Sequence, residues 1–218
     1  KAASSSLCSY AFVPAFIKVM ETQLPVLVLA SSSPRRSDLL TAHAIPFEIS
    51  LPDTEEISDP SILPGNLVQL NAQLKACAVA VRMPDRIVLG ADTVVAFEGR
   101  IFGKPKNWNE AEEMLEILNG KTHEVLSGVC IRHAASQTEI LFIESTQVHF
   151  HNRSRAERRA YLERIHPLDK AGSYAAQTDN GVMIREISGL MSNVIGLPIE
   201  SLLPKLTEFA ANAKPCQR

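Results

Sequence analysis

Cysteine is scarce and scattered in this chain. The four cysteines are Cys8, Cys77, Cys130 and Cys216, with no CxxC pair and no spacing typical of a zinc finger. We therefore expect a protein of a reducing compartment, the cytoplasm, rather than one stabilised by disulfides. No apolar run approaches the roughly 20 residues that a membrane helix needs, so no membrane is expected as a partner.

The chain also lacks an excess of charge of either sign. Its formal net charge is −2, from 22 basic and 24 acidic side chains. A generally basic surface of the kind that binds nucleic acid is not indicated, and no nucleic acid polymer is expected as a partner. A site for an anion must instead come from a local cluster of basic and hydroxyl side chains.

Acidic residues are missing from residues 1–19, which are rich in serine and alanine. We interpret this segment as an N-terminal extension; a removable transit peptide, which has a similar composition, is the alternative. Residues 210–218 are predicted to form a frayed C-terminal tail. No linker rich in serine, glycine or proline divides the remainder, so residues 20–209 are predicted to form one domain.

Apolar patterns typical of strands and of helices alternate along this domain. The run VLVLASS predicts a short buried strand, with a helix from about Ser33, and NLVQLNAQLKACAVAVRM predicts a long amphipathic helix. RIVLGADTVVAFEG predicts a strand, a break and a second strand. Further helices are expected after Asn107 or Asn109 and over SRAERRAYLERI. This alternation favours a mixed α/β sheet over a sandwich of two sheets.

The turn after the first predicted strand combines hydroxyl and guanidinium groups. Ser31, Ser33, Arg35 and Arg36 lie where a helix begins directly after a strand. A helix start offers free N–H groups and a positive dipole end, and guanidinium forks match phosphate oxygens. The stretch therefore predicts a phosphate cradle. The alternative is a serine helix cap followed by arginines that face solvent.

Five further charged residues are candidates for the same chemistry. Asp92 interrupts an apolar run in GADTVV, and a carboxylate buried there needs a metal ion, a hydrogen-bond donor or a proton as its partner. The alternative is that Asp92 only caps a turn. Lys104 of GKP could neutralise a phosphate. The alternative is an ordinary exposed lysine without a ligand, which is the more common case for a single lysine. Glu55 and Glu56 form an acidic loop suited to magnesium or manganese. Lys75 lies in a mostly apolar helix, where a lysine commonly snorkels to solvent.

The late stretch LDKAGSYAAQ is rich in small residues that permit close approach of backbone to a ligand. Gln177 at its end can contact the edge of a nucleotide base, because its amide both donates and accepts hydrogen bonds. The alternative is a tight loop that packs through its small residues.

These motifs, taken in order, resemble those of the Maf nucleotide pyrophosphatases, also called septum-formation-inhibitor-like proteins. The resemblance covers about residues 26–209, and the order of ten motifs makes it specific. The motifs are LASSSPRRSDLL, IPFEI, EE, LKA, GADTVV, GKP, GKTHEVLSGV, ESTQVHF, PLDKAGSYAAQ and VIGLPI.

The resemblance implies an α/β fold with a mixed, bent β-sheet flanked by helices and a cleft between two lobes. It implies hydrolysis of a nucleoside triphosphate to the monophosphate and pyrophosphate, a divalent cation (Mg, Mn or Co) as cofactor, and a homodimer. Asp92 would correspond to the general base and, with Glu55, to the metal ligands. The other implied site residues are Ser31, Arg35, Arg36, Lys75 and Lys104.

The family divides by substrate, and three residues resemble one branch. Arg35, Thr93 and Gln177 resemble the dTTP/UTP pyrophosphatases, whereas the branch that prefers 7-methyl-GTP has tryptophan, glutamine and glutamate there. Thr178 and Asn180 depart from the glycines that commonly follow the glutamine. The alternatives are a pyrophosphatase for another base, such as 7-methyl-GTP, and a non-catalytic nucleotide-binding protein that regulates division.

Overall fold

The computed structural model describes residues 24–213, so the predicted extension at 1–19 and residues 214–218 of the predicted tail lie outside it. No helix in the described part has the length and apolarity needed to span a membrane. The strands are β1 (Leu27–Leu29), β2 (Phe47–Ile49), β3 (Ile87–Phe97), β4 (Arg100–Phe102), β5 (Thr122–His133), β6 (Thr138–Phe150) and β7 (Ile184–Ser188). The α-helices are α1 (Pro34–Ala42), α2 (Pro64–Ala80), α3 (Trp108–Leu118), α4 (Arg155–Ile165), α5 (Met191–Ile195) and α6 (Ile199–Asn212).

The strands form one mixed sheet of seven strands in the order β2-β1-β3-β5-β6-β7, with β4 paired to β3. β1 is parallel to β2 and to β3, whereas β5, β6 and β7 continue the sheet antiparallel from β3. The predicted α/β class with a mixed sheet flanked by helices is confirmed.

Helix α2 covers one face of the sheet at very short distance. Gly90 and Gly128 lie beneath it. A Cβ atom on Gly90 would come within 2.2 Å of the Ala72 carbonyl oxygen, and one on Gly128 would come within 2.3 Å of the Val68 carbonyl oxygen. Ala72 and Ala76 of α2 are themselves small and fully buried. Glycine is required at both strand positions because the helix backbone occupies the place of a side chain.

The opposite face carries two separate apolar clusters. Leu89 of β3 belongs to a cluster with α1 and α6, whereas Val95, farther along the same strand, belongs to a cluster with α3 and α4. Between the two clusters lies a polar pair, because Thr93 stands opposite Ser127 on β5 and the hydroxyls are 2.8 Å apart. The two clusters are the cores of two lobes, and the polar gap between them begins the cleft.

Strand β3 has an open edge at this gap. β1 pairs with β3 only at Val88 and Leu89, and β4 pairs only from Val95 onward. Within the described residues, 90–94 therefore have no strand neighbour on that edge, while β5 pairs with them on the other. Side chains from both faces of β3 can reach this opening, which explains why a functional site forms there.

Three details differ from the sequence-based expectations or sharpen them. β3 is one continuous strand rather than two, because β5 pairs with it from Ile87 to Ala96. The cap of α3 is Asn107, whose side chain accepts a hydrogen bond from the backbone N–H of Glu110. Helix α6 continues to Asn212, into the segment predicted to be tail. β4 and α5 are not predicted from the sequence because both are short.

The close approach of α2 predicts that Gly128→Ala destabilises the fold. The new methyl group meets the Val68 carbonyl, so the helix must shift, and overpacking of this kind costs about 1–3 kcal/mol of unfolding free energy. Urea unfolding measures the effect. Gly103→Ala is the matched control, since a Cβ there meets nothing within 4 Å. Equal stability of the two variants would contradict the close contact between α2 and Gly128.

Candidate active site

The cleft at the open edge of β3 has a volume of about 660 Å³, in the range of small-molecule sites. Most of the residues predicted from the sequence line it: Ser33, Arg35, Arg36, Lys75, Asp92, Thr93, Lys104 and Gln177. Ser31 and Glu55 are not among the lining residues. One end of the cleft is charged and the other is largely apolar.

Asp92 lies at the charged end, on the face of β3 that α2 covers. Its side chain is buried, and both carboxylate oxygens accept hydrogen bonds. Oδ1 lies 2.7 Å from Nζ of Lys75, and Oδ2 lies 3.2 Å from Nδ2 of Asn71. Two donors from one helix therefore hold the carboxylate in place. The alternative interpretation of Asp92 as a turn cap is wrong, because Asp92 lies within a continuous strand.

Lys75 is the centre of the charged cluster. It is buried on α2, and its ammonium reaches Asp92, the Ala91 carbonyl at 3.4 Å and Oε1 of Glu56 at 2.7 Å. All three donor hydrogens thus have partners. The alternative that Lys75 snorkels to solvent is wrong, since its side chain is only 7% exposed.

The acidic loop before α2 contributes Glu56 rather than Glu55. Both side chains are exposed, but only Glu56 lines the cleft. Burial disfavours the charged form of Glu56, but the ion pair with Lys75, helped by Lys104 and Arg36, holds its pKa below the ordinary value. Glu56 is therefore a carboxylate that faces the cleft at neutral pH.

Asp92 and Glu56 fit a divalent cation in part. Both carboxylates contact the same ammonium, so their oxygens converge on one small region of the cleft. Mg²⁺ commonly binds one or two carboxylates and takes its remaining ligands from water and phosphate. Among residues 24–213 there is no group of three or more His, Cys, Asp or Glu side chains that could hold a metal alone. The donor set suits an ion that arrives with a phosphate ligand.

Arg36 is a buried cation without a carboxylate partner among the described residues. Its guanidinium donates to Oγ of Ser31 at 2.8 Å, to the Gly196 carbonyl at 3.0 Å and to Oγ1 of Thr93 at 3.4 Å. Burial lowers the pKa of Arg36, and nearby Asp92 opposes this effect. A buried cation held by neutral groups beside a cleft favours an anionic ligand. Ser31 acts through Arg36 instead of lining the cleft.

Arg35 joins α1 to the segment between α4 and β7, which contains LDKAGSYAAQ and is called the late loop below. Its Nη1 lies 2.6 Å from Oδ2 of Asp169, and its Nη2 lies 3.0 Å from the Asp169 carbonyl oxygen. Lys170 contacts the same carboxylate at 2.5 Å and also lines the cleft. The alternative that Arg35 is merely a solvent-facing arginine is wrong, because its side chain is only 23% exposed, pairs with Asp169 and lines the cleft.

Lys104 is exposed at the rim and has no ion-pair partner within the described chain. Its turn is held to the late loop by a hydrogen bond of 3.1 Å from the Gly172 N–H to the Gly103 carbonyl. The position leaves the ammonium free to meet a ligand at the charged end.

The apolar end of the cleft is built by the late loop. Tyr174 and the small residues Ala175 and Ala176 line it beside Val95, and Gln177 is exposed there. An apolar wall with one amide at its edge is suited to a flat heterocycle that needs paired polar contacts.

A buried carboxylate anchors this loop. Asp179 accepts hydrogen bonds from the N–H groups of Met183 at 3.0 Å and Ile184 at 2.9 Å. The Tyr161 hydroxyl accepts from the Ala175 N–H at 3.0 Å. The loop that presents Gln177 is therefore fixed at both ends.

Two residues of the site, Asn71 and Asp179, are not among those predicted from the sequence. A signal for Asn71 was present: it lies four residues before Lys75, so a helix places both on one face, and an amide among buried alanines needs a partner. The sequence gives no comparable indication for Asp179, because a loop has no regular spacing that places its side chains on one face.

The charged cluster predicts that Lys75→Met is strongly destabilising. Loss of the ammonium leaves the buried Asp92 carboxylate without its partner, which costs about 3–5 kcal/mol of unfolding free energy. Asp92→Asn in the same background should recover part of that loss, since no buried charge then remains there. Urea unfolding of both single variants and the double variant measures the coupling, and simple additivity would contradict the ion pair.

The core beneath the apolar end predicts a pH-dependent stability. His123 is buried against Phe150 and Tyr174, its Nε2 lies 3.0 Å from the Tyr174 hydroxyl, and burial lowers the pKa of His123 to about 3. The unfolded chain, with a histidine pKa of about 6.5, then binds one more proton between these values. Stability should fall as pH decreases through this range, by up to about 1.4 kcal/mol per pH unit.

The test is urea unfolding of the wild type and of His123→Gln at several pH values from 4 to 7. The glutamine has no titrating ring, so the variant should lose this part of the slope whatever its absolute stability. Identical slopes in the two proteins would show that His123 is not held neutral by burial.

The chain is similar to known proteins over most of its length. The family model described as Maf-like protein matches residues 26–209. A dTTP/UTP pyrophosphatase of Bacillus cereus (strain B4264) is 44% identical over 183 residues, covering 84% of this chain and 95% of the relative. A protein of the same name from Bacillus anthracis is 45% identical with the same coverage. A family match over most of the chain, together with relatives of this similarity, shows that the chain belongs to the Maf family.

Proposed function

We propose that this protein is a nucleoside triphosphate pyrophosphatase that hydrolyses the α–β phosphoanhydride of dTTP and UTP, releasing the monophosphate and pyrophosphate. The observation that supports it most is the buried carboxylate of Asp92, held by two donors in a cleft whose charged end also contains Arg36 and Lys104. The relatives named dTTP/UTP pyrophosphatase support the same activity and substrates.

Attack of water on the α-phosphorus builds negative charge on the phosphate oxygens. Arg36 is already in place and buried, so it can stabilise that charge without reorganising. Lys104, free at the rim, reaches the outer phosphates. Catalysis of phosphoryl chemistry depends mostly on such positioning and charge.

Asp92 is the general base of this proposal. A carboxylate has about four acceptor positions, and Lys75 and Asn71 occupy one on each oxygen. The remaining positions can accept a hydrogen bond from the attacking water and then its proton. The two donors fix the direction in which the carboxylate presents these positions.

Asp92 and Glu56 would hold the divalent cation, Mg²⁺, Mn²⁺ or Co²⁺, with Glu56 in the place predicted for Glu55. When bound, the ion supplies further neutralisation of charge on the phosphate oxygens. Lys75 contacts both carboxylates at 2.7 Å and keeps them close together before a ligand arrives.

Gln177 provides the choice of base. Its amide can donate to O4 and accept from N3–H of uracil or thymine, which a carboxylate could not do. The Tyr174 side chain and the neighbouring alanines supply the apolar wall. Paired polar contacts of this kind discriminate between bases once a bound base covers the amide, because a wrong base then leaves polar groups unpaired. The cytoplasmic location and the homodimer stay predictions.

The test is a panel of nucleoside triphosphates with Mg²⁺, Mn²⁺ or Co²⁺, scored for release of pyrophosphate. dTTP and UTP should be hydrolysed well, and ATP, GTP and 7-methyl-GTP poorly. Asp92→Asn, which keeps the shape and removes the basicity, should lose nearly all turnover but still bind UTP. Turnover of that variant within a few-fold of wild type would remove Asp92 as the base.

Competition between UTP and 7-methyl-GTP, repeated with Gln177→Glu, tests the choice of base in the same assay. The variant should lose its preference for UTP, since a carboxylate cannot donate to O4. Faster turnover of 7-methyl-GTP by the wild type would overturn the substrate assignment. A preference that ignores the substitution would retain the substrate and reject this role of Gln177.

A further inference from the structure

Asn71 is the buried amide that joins the acidic loop to the proposed base. It is 3% exposed on α2 and makes three hydrogen bonds. Its Oδ1 accepts from the Ile57 N–H at 2.8 Å, and its Nδ2 donates to the Ile57 carbonyl at 3.0 Å. The same Nδ2 donates to Oδ2 of Asp92 at 3.2 Å.

The pair of bonds with Ile57 fixes the orientation of the amide. The backbone N–H of Ile57 requires the oxygen of Asn71 on its side, so the nitrogen must face the other way. That nitrogen has two hydrogens, one for the Ile57 carbonyl and one for Asp92. The loop backbone therefore makes Asn71 an obligatory donor toward the carboxylate.

The same contacts connect the two carboxylates of the cleft. Ile57 follows Glu56 directly, so the amide that orients Asp92 also holds the backbone next to Glu56. One helical turn later, Lys75 contacts both carboxylates. Asn71 and Lys75 thus form two adjacent supports on α2, one neutral and one charged.

We infer that Asn71 is a positioning residue of the pyrophosphatase reaction: it aims Asp92 at the attacking water and keeps Glu56 beside it. The inference rests on the proposed function. Asn71 is not needed to bind the triphosphate, because the cations Arg36 and Lys104 do that. Its loss should therefore lower kcat far more than it raises KM.

The test compares Asn71→Leu with a matched control, Asn119→Leu. Asn119 makes the same paired contact with a backbone, donating to the Arg153 carbonyl at 2.9 Å and accepting from its N–H at 2.8 Å. It does not line the cleft. Both variants lose a similar clamp and should be less stable, so stability alone does not separate them.

With UTP as substrate, Asn71→Leu should lower kcat by about tenfold to a hundredfold, with KM within about threefold of wild type, whereas Asn119→Leu should keep the wild-type kcat. Equal kcat in the two variants would overturn the inference and leave Asn71 a structural clamp. An inactive wild type would overturn the proposed function and this inference with it, so the two failures are distinguishable.

Asn71→Asp covers the case in which leucine prevents folding. The aspartate is nearly isosteric and can still accept from the Ile57 N–H, but it cannot donate to Asp92 and places a second carboxylate beside it. It should lower kcat at least as much as leucine does. Wild-type kcat in Asn71→Asp would overturn the inference as well.

Discussion

The open edge of β3 is the constraint on which the site depends. A strand paired on both sides offers its side chains to two separate faces, and no ligand can contact both. Here β1 ends its pairing with β3 at Leu89 and β4 begins at Val95, so no strand of residues 24–213 pairs with this edge of β3 between them. Asp92 reaches the opening from the α2 face, and Thr93 reaches it from the face of Arg36. The continuous pairing with β5 keeps both residues rigid.

The charges around this edge are better explained by function than by stability. Burial of an ion pair such as Lys75–Asp92 costs desolvation that the mutual attraction barely offsets, and apolar residues of the same size often serve a fold better. Arg36 is buried, and its hydrogen-bond partners in the described part of the chain are all neutral, so packing explains it even less well. Both are explained if the cleft must hold several phosphate charges, because cations fixed in advance need not reorganise when the ligand arrives.

Periodic features of the sequence were predictable, and contacts across the fold were not. The strand before Ser31, the helix with Lys75 and most later elements follow from apolar spacing. The orientation of the acidic loop cannot be predicted in this way, because a loop has no regular alternation of apolar and polar side chains. The structure shows that Glu56 contacts Lys75 and faces the cleft, whereas Glu55 does not line it. The ion pair between Arg35 and Asp169 joins residues 134 positions apart in the sequence, and local sequence patterns do not predict contacts over such a separation.

The late loop shows how a departure from the common family motif is accommodated. The glycines that commonly follow the glutamine allow a tight turn, whereas this chain has Thr178 and Asn180 there. Asp179, buried between them, accepts hydrogen bonds from two backbone N–H groups and so anchors the turn with its side chain. Asn180 adopts a left-handed conformation, with φ of 51°, which asparagine tolerates better than most residues. Asp179 and Asn180 thus hold the turn in this chain, and Gln177 is exposed at the apolar end of the cleft.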